Sequence, residues 1–308
     1  MKDRCNREIK HIRFSVTSEC NFNCLYCDQE GLETVPKSNY LTVEEITKIC
    51  YLLAKILHVT RIKFTGGEPL CREDIVKIIQ NVKSLNLYED ISMTTNGYYL
   101  YKIAEDLSKA GLDRVNVSLS SLNPKTFKKI TGRNNLSDIL RGLNKSQEVG
   151  LNPIKLNFVV LKGLNDNELE DMIEFSSETG YILQLIELHK SSDQVGKNKD
   201  FYEKYYYNLN DFIKELEQRS IKTQIRGMMQ NRKVFTLENG AVIETIHPGH
   251  DFCMGCTKLR VGCDGNLFGC LFRSDLGRNL KEKLSIDAPL SKYEEIVKQV
   301  VNSREPHY

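Results

Sequence analysis

The sequence has no apolar run long enough to span a bilayer, which argues against a transmembrane helix. Its opening residues, Met1-Lys-Asp-Arg-Cys-Asn-Arg, are polar where a secretory signal needs an apolar stretch, so we expect a cytoplasmic protein. It also lacks an excess of either charge: 43 Lys and Arg face 41 Asp and Glu, for a net charge of +2. Such a balance offers no general attraction for nucleic acid, and any phosphate binding must come from locally gathered cations. No internal repeat and no low-complexity segment stands out. Hydrophobic content of 40% and charged content of 27% are those of an ordinary globular chain. At 308 residues it exceeds one average domain but fits one α/β barrel-like domain with a small appendage.

What the sequence does have is cysteine, ten in all. In a reducing compartment, grouped cysteines read as metal ligands rather than disulfides. Six fall in two groups, Cys20/Cys24/Cys27 and Cys253/Cys256/Cys270; Cys5, Cys50, Cys71 and Cys263 are expected to be buried small hydrophobes or incidental. The first group follows a strand-like run, His11 to Thr17, at C-x3-C-x2-C spacing. A tight loop of this kind aims three thiolates at one point. Thiolate is the standing ligand of iron–sulfur clusters, and three ligands leave one iron of a four-iron cluster open to a substrate or cofactor. A catalytic zinc also keeps three protein ligands, but usually with histidine among them, and this loop contains none. The second group, Cys253-x2-Cys256-x13-Cys270, is compatible with zinc or iron–sulfur, and His247 and His250 keep a zinc ribbon open. Lys258 and Arg260 alternate across Leu259, so an extended segment sends both cations one way; a solvated face is the plainer alternative.

Between the groups, periodicity alternates between strand and helix. Thr42 and Glu45 form a capping box ahead of apolar positions Ile46, Ile49, Leu53, Ile56 and Leu57. Arg61–Thr65 reads as a strand ending in Gly66-Gly67-Glu68-Pro69, followed by a helix from about Arg72 to Leu85 and a strand over Ile91–Thr95 ending in Asn96-Gly97. A helix then stops at Gly111, a C-cap residue. Strand Arg114–Leu119, a helical stretch to Gly150, strand Ile154–Leu161, a helix from Asp166 and strand Tyr181–Leu188 complete the series. Six strands alternating with helices predict parallel βαβ units, too few for a closed eight-stranded barrel. Ligands of such sheets gather at the carboxyl ends of the strands. There the cysteine loop, the Gly-Gly-Glu-Pro turn, Asn96, Ser118 and His189 should meet. Ser191–Asp200 reads as a polar loop and Phe201–Gln218 as one helix. Short strands are expected at Lys222–Ile225, Lys233–Leu237 and Val242–Ile246, with Glu238-Asn239-Gly240 as a hairpin turn. We place a division near Ile225, giving residues 1–225 and 226–308.

Arg13-Phe-Ser-Val-Thr, Cys20-x3-Cys24-x-Tyr26-Cys27, Thr65-Gly-Gly-Glu-Pro-Leu70, Thr94-Thr-Asn-Gly97, Asn116-Val-Ser-Leu119 and Lys155-Leu-Asn157 occur in this order. Phe252-Cys253-x2-Cys256-x-Lys258-Leu259-Arg260 and Asp264-Gly265 close the series. Over roughly residues 10 to 275 the chain resembles the radical SAM superfamily and, within it, the GTP 3′,8-cyclase family of molybdenum cofactor biosynthesis. The resemblance implies a partial (β/α)6 TIM-like barrel with a small C-terminal α+β domain. It implies two [4Fe-4S] clusters, on Cys20, Cys24 and Cys27 and on Cys253, Cys256 and Cys270. In that family the first cluster's open iron chelates S-adenosylmethionine, whose one-electron cleavage gives a 5′-deoxyadenosyl radical. The matching cofactor contacts are Tyr26, Gly67, Ser118 and His189, and the matching GTP contacts are Arg13, Lys63, Thr94, Lys155, Lys258, Leu259 and Arg260. Cations around one cavity suit a triphosphate by charge-assisted bonding.

The implied reaction converts GTP to (8S)-3′,8-cyclo-7,8-dihydroguanosine 5′-triphosphate, the first step toward molybdenum or tungsten cofactor. Its implied partners are a one-electron donor such as ferredoxin or flavodoxin and a downstream cyclic pyranopterin monophosphate synthase; a homodimer is the oligomer considered. Three departures accompany the resemblance. His189 stands where the family often has methionine. Lys63 and Lys258 stand where bacterial members commonly have arginine, which keeps charge but loses the bidentate fork. The sequence ends Arg304-Glu-Pro-His-Tyr308, not in the Gly-Gly of many bacterial members, as a shorter archaeal-type member would. One alternative is a radical SAM enzyme with an auxiliary cluster acting on a peptide or another small molecule, which has no need of the cationic set. The other is a zinc or iron–sulfur binding module, for which the Gly-Gly-Glu-Pro turn has no purpose.

Overall fold

Segments such as His11-Ile-Arg-Phe-Ser15 and Arg61-Ile-Lys-Phe-Thr65 alternate polar with apolar residues, and successive side chains of a strand point to opposite faces. In the computed structural model this alternation produces a sheet with an apolar outer face and a polar inner one. The structure describes residues 1–27, 34–189, 199–247, 249–281 and 289–306. The strands are β1 (His11–Ser15), β2 (Arg61–Thr65), β3 (Asp90–Thr95), β4 (Arg114–Ser118), β5 (Lys155–Val160), β6 (Ile182–Glu187), β7 (Ser220–Arg226), β8 (Arg232–Leu237), β9 (Val242–Ile246), β10 (Lys258–Val261), β11 (Asn266–Phe268) and β12 (Arg278–Asn279). They form one sheet in the order β12-β11-β10-β1-β2-β3-β4-β5-β6-β9-β8-β7.

The six strands expected from periodicity lie side by side and parallel. The C-terminal part adds to both edges of this array. β10 joins β1 in parallel on one side, and β9 joins β6 in parallel on the other. The hairpins β10–β11–β12 and β9–β8–β7 then run outward antiparallel. The division expected near Ile225 falls inside β7. The two outer parts curl toward each other: Gln230 donates its backbone N–H to Gly255 at 3.0 Å, and the Asn231 amide donates to the Asp251 carbonyl at 2.7 Å. The parallel strands are thereby wrapped around an interior.

The helices are α1 (Val43–Leu57), α2 (Ile75–Ser84), α3 (Leu100–Lys109), α4 (Pro124–Thr131), α5 (Leu136–Glu148), α6 (Leu169–Thr179), α7 (Lys199–Tyr205), α8 (Asn210–Arg219), α9 (His250–Met254) and α10 (Leu290–Asn302); α7 and α9 turn Phe201, Tyr202, Phe252 and Cys253 toward the interior. The α1 capping box forms as expected, with Thr42 N–H on Glu45 Oε2 at 2.8 Å and Glu45 N–H on Thr42 Oγ1 at 3.2 Å. Ile12, Phe14, Ile62, Phe64, Ile91, Met93, Val115, Val117, Leu156 and Phe158 form the outer face of the sheet, each at most 1% exposed. Burying each such side chain contributes about 1.5–3 kcal/mol, so this layer dominates the stability of the barrel wall. Cys50 and Cys263 are buried as expected, whereas Cys5 and Cys71 are only partly so. Among the described residues, no helix is long and apolar enough to cross a membrane.

Two expectations about helices are corrected. The stretch running to Gly150 is two helices, because Gly132 ends α4 in the left-handed region at φ 74°. The helix expected over Phe201–Gln218 is likewise two. The break at Tyr206–Leu209 is held by Glu187, whose carboxylate accepts the Tyr206 hydroxyl at 3.1 Å and the Leu209 N–H at 3.0 Å. Of the loop expected over Ser191–Asp200, residues 191–198 lie outside the described residues, and Lys199 and Asp200 open α7.

The first cysteine loop leaves β1 and runs on beside the turn after β2. Val16 N–H bonds the Thr65 carbonyl at 2.9 Å, Gly67 N–H the Thr17 carbonyl at 2.8 Å, and Glu68 N–H the Glu19 carbonyl at 2.7 Å. The approach is so close that a Cβ on Gly67 would lie 2.2 Å from the Glu19 carbonyl oxygen. Glycine is therefore required here by the cysteine loop itself. We expect Gly67→Ala to cost about 3 kcal/mol, measured by denaturant unfolding. Gly249→Ala, at φ 166° with nothing within 4 Å of the added Cβ, should be nearly neutral.

Candidate active site

Chain order and register place the two cysteine groups at different ends of the same inner surface. The first group extends from the carboxyl end of β1, whereas Cys256 precedes β10 by two residues and so lies at the amino end of the strand paired with β1. The register sets Arg13 opposite both Arg260 and Lys63, and His11 opposite Lys258. Three cations, Arg13, Lys258 and Arg260, thus stand between the groups. A cavity of about 380 Å³ runs along this surface. All six grouped cysteines line it, as do Tyr26, Gly67, Ser118, His189, Arg13, Thr94, Lys258 and Arg260. Lys63, Lys155 and Leu259 are not among its lining residues.

The first group is carried by a loop fixed from three directions. Besides the turn after β2, the α4 end holds it: Asn23 and Leu25 N–H groups bond the Thr131 and Ile130 carbonyls at 3.1 and 2.9 Å. Arg133 Nε donates to the Asn21 carbonyl at 2.7 Å, and the Asn96 amide donates to Asn21 Oδ1 at 2.7 Å. Glu68 locks the turn from below, accepting the Thr95 hydroxyl and Asn96 N–H at 2.6 Å each and Leu70 N–H at 3.0 Å. Burial pushes the Glu68 carboxyl up to about 7 even against these three donors. The sequence motif Gly-Gly-Glu-Pro therefore has a mechanical reading: the glycines admit the cysteine loop, and the glutamate bolts it to β3. The donor set of the loop, three thiols without histidine, fits an iron–sulfur cluster. None of the ten cysteines is in a disulfide. Among the described residues, no three His, Cys, Asp or Glu side chains come close enough to hold a single metal ion.

Of the expected cofactor contacts, Tyr26 belongs to this loop and Gly67 abuts it, whereas His189 packs against residues flanking the second cysteine group. The Tyr26 hydroxyl is 3.0 Å from Ser120 Oγ, and burial raises its pKa above the ordinary phenol range. His189 follows β6 and packs its ring against Phe252 and Phe272, at 6.5 and 5.9 Å between centroids. Burial lowers its pKa to about 4, so the ring is neutral at pH 7. Its Nδ1 is a buried polar atom with no hydrogen-bond partner among the described residues. An orphaned nitrogen on the cavity wall suits a ligand with polar groups to offer.

The second group sits where burial would disfavour thiolate, but Arg304, Lys258 and Arg260 outweigh it and hold the Cys256 pKa below the ordinary thiol value. Lys258 and Arg260 both line the cavity while Leu259 between them is fully buried on the other face, as an extended segment requires. Burial, with Arg232, Arg13 and Arg260 nearby, drives the Lys258 pKa well below the ordinary value. An anionic ligand would reverse that. Several cavity residues were not singled out from the sequence: Arg7, Arg232 and Arg304 are not part of any motif, Gln230 is a single polar residue, and Asn157 entered only as the end of the Lys155-Leu-Asn157 motif, with no role given to it.

Lys63 and Lys155 belong to a polar layer beneath the cavity. Lys63 Nζ donates to Asn116 Oδ1 at 2.7 Å, and the Asn116 amide donates to Gln184 Oε1 at 2.9 Å. Gln184 in turn donates to Glu244 Oε2, whose other oxygen accepts Lys155 Nζ at 2.6 Å and Arg226 Nη1. Arg232 Nη1 is 3.6 Å from Glu244. Burial alone would raise the Glu244 pKa, but Lys155, Arg232 and Arg226 pull it down to about 2. Burial outweighs Glu244 at Lys155, which falls to about 8 and remains charged at pH 7.

A model described as the radical SAM superfamily matches residues 14–176, and one described as Molybdenum Cofactor Synthesis C matches residues 181–308. A protein of Thermococcus kodakarensis named "Probable GTP 3′,8-cyclase" is 40% identical over 310 positions, covering 99% of each chain. A protein of Methanocaldococcus jannaschii with the same name is 39% identical over 313 positions, covering 100% of this chain and 99% of that one. Among solved structures, Streptococcus suis SuiB bound to S-adenosylmethionine superposes with a TM-score of 0.67 at 16% identity, covering 94% of this chain and 66% of SuiB. Native anSMEcpe with bound AdoMet superposes with a TM-score of 0.59 at 19% identity, covering 93% of this chain and 82% of that one. These superpositions establish the same fold.

The Glu244 cluster generates a prediction about acid stability. Glu244→Gln leaves three buried or half-buried cations without their counter-ion and should destabilise the fold by about 3–5 kcal/mol at pH 7. Because the folded pKa of about 2 lies below the ordinary 4.5, the wild-type contribution is present above pH 4.5 and is lost as pH falls through 2. Denaturant unfolding between those limits should therefore show a steeper decline for wild type than for the variant.

Proposed function

We propose that this chain, which belongs to the radical SAM superfamily, is a GTP 3′,8-cyclase. It would convert GTP to (8S)-3′,8-cyclo-7,8-dihydroguanosine 5′-triphosphate, the first step of molybdenum or tungsten cofactor biosynthesis. The observation that carries this reading is the opening of both three-cysteine groups on one cavity, with Arg13, Lys258 and Arg260 between them. Relatives named GTP 3′,8-cyclase that match over the whole chain support it.

In this reading residues 1–225 form the radical-generating part and residues 226–308 the part with the second cluster. Cys20, Cys24 and Cys27 hold one four-iron cluster; Cys253, Cys256 and Cys270 hold the other. When bound, the first cluster and S-adenosylmethionine supply one-electron chemistry that removes hydrogen from ribose C3′. Tyr26, Gly67, Ser118 and His189 hold the cofactor, with Gly67 acting through the loop it admits. Arg13, Lys258 and Arg260 bind the triphosphate, with Thr94 on the wall and the Leu259 backbone holding the last two cations in phase. Lys63 and Lys155 act from beneath, one set by Asn116 and the other by Glu244. Apolar lining such as Phe22, Leu188, Ile246 and Phe252 excludes water from the reacting atoms. A ferredoxin or flavodoxin would supply the electron, and a cyclic pyranopterin monophosphate synthase would take the product.

Anaerobic incubation of reconstituted protein with S-adenosylmethionine, a reductant and GTP should yield the cyclised product by mass analysis. Cys24→Ala should abolish cofactor cleavage, whereas Cys256→Ala should spare some uncoupled cleavage and abolish product. Equal loss of cleavage in two folded variants would refute this division of labour. Arg260→Ala should weaken GTP binding about 10–100-fold, as loss of one charge-assisted bond implies, and guanosine binding much less. Equal losses for GTP and guanosine would point instead to an enzyme acting on a peptide.

A further inference from the structure

The second cysteine group is gripped by two arginines that share one buried carboxylate. Asp3 is fully buried; its Oδ2 accepts Arg7 Nε at 2.7 Å and Arg304 Nη1 at 2.8 Å. Its Oδ1 accepts the backbone N–H groups of Cys5 and Arg7, both at 2.9 Å, which fixes the carboxylate in place. Each guanidinium then reaches main-chain carbonyls of the cysteine segments. Arg7 Nη1 donates to the Cys253 carbonyl at 2.9 Å, and Arg304 Nη2 donates to the Cys256 carbonyl at 2.7 Å. Arg304 Nε donates to the Gly269 carbonyl at 3.2 Å, the peptide that leads into Cys270. A Cβ on Gly269 would come within 2.6 Å of Arg304 Cγ, so glycine is needed to let this side chain pass.

Cys253 and Cys256 belong to the α9 end, whereas Cys270 follows β11, and the Arg304 fork bridges these two segments directly. A planar guanidinium with donors at fixed spacing can hold two carbonyls at a set separation, which an ammonium cannot. Arg304 is 2% exposed and Arg7 6%, so both charges act in a desolvated setting. Two cations against one carboxylate leave a net positive charge behind three thiols. Reduced iron–sulfur clusters carry more negative charge, and nearby charge and hydrogen bonding set their potentials.

We propose that Asp3, Arg7 and Arg304 are positioning residues that preset the second three-cysteine site, and that the two guanidiniums raise the reduction potential of the cluster it holds. This rests on the reading that Cys253, Cys256 and Cys270 bind a four-iron cluster. The test uses full-length protein carrying Cys24→Ala, which removes the first cluster and leaves the second to be observed alone. That protein should bind about four irons per chain after anaerobic reconstitution. Adding Arg304→Gln should lower resistance to an iron chelator about 10–100-fold, as expected for a residue that orients ligands, and should shift the midpoint potential negative. Adding Asp3→Asn instead should shift the potential positive, because it removes the carboxylate and keeps both cations. Arg304→Lys should keep the potential and lose chelator resistance, and it decides the matter if Arg304→Gln fails to fold. Unchanged potential and chelator resistance in folded Arg304 variants would overturn the inference. No iron in the Cys24→Ala protein, with every other residue intact, would overturn the underlying reading and the inference with it.

Discussion

The parallel pairing of β10 with β1 is the contact on which the site depends. β1 is the strand from which the first cysteine loop springs, and β10 is the strand that the second group precedes. Their register places Arg13 beside Arg260, so the cations fall in the interval between the two sets of thiols. A slip of one residue would turn Leu259 into the cavity and bury Lys258 and Arg260 in the helical layer. Desolvating two cations in that layer is far costlier than exposing one leucine. The register is thus held by the apolar outer face as firmly as by backbone hydrogen bonds.

The polar inner face raises a second physical problem, since buried polar groups must find partners. The chain solves it in layers. Deepest are Lys63, Asn116, Gln184, Glu244 and Lys155, linked in one continuous path of donors and acceptors. Above it Lys258 is an amine whose burial disfavours the charged form, and His189 Nδ1 lacks a partner among the described residues. Both of these groups face the cavity, as expected where a ligand completes a site. The chain ends apply the same logic at the second cysteine group, where Asp3 neutralises part of the charge that Arg7 and Arg304 bring to the thiols.

How much of this the residues reveal by themselves depends on whether the signal is local. The alternation in Arg61-Ile-Lys-Phe-Thr65, the capping box at Thr42 and Glu45, and the C-x3-C-x2-C spacing depend on neighbours within a few positions, and all were legible. So were the six parallel strands and the extended phase of Lys258-Leu259-Arg260. The role of Gly67 was only half legible. The sequence marks it as a matching cofactor contact, but what closes on it is the carbonyl of Glu19, a contact between segments 48 residues apart in number. The break between α7 and α8 was missed because it is made by Glu187, a residue on another element.

The sequence by itself determined the six parallel strands, the α1 cap, the two cysteine groups and the shared phase of Lys258 and Arg260, because each is set by spacing along the chain. Only the tertiary structure decided that the C-terminal part completes the sheet at both edges, since edge pairing is a contact between strands distant in sequence. It also decided which cations face the cavity. Lys63 and Lys155 resemble Lys258 in every local respect, yet they lie beneath it because Asn116 and Glu244 hold them there. Arg304 and Asp3 stand 301 positions apart and meet at 2.8 Å. No local pattern encodes that ion pair; burial of both partners behind the second cysteine group does.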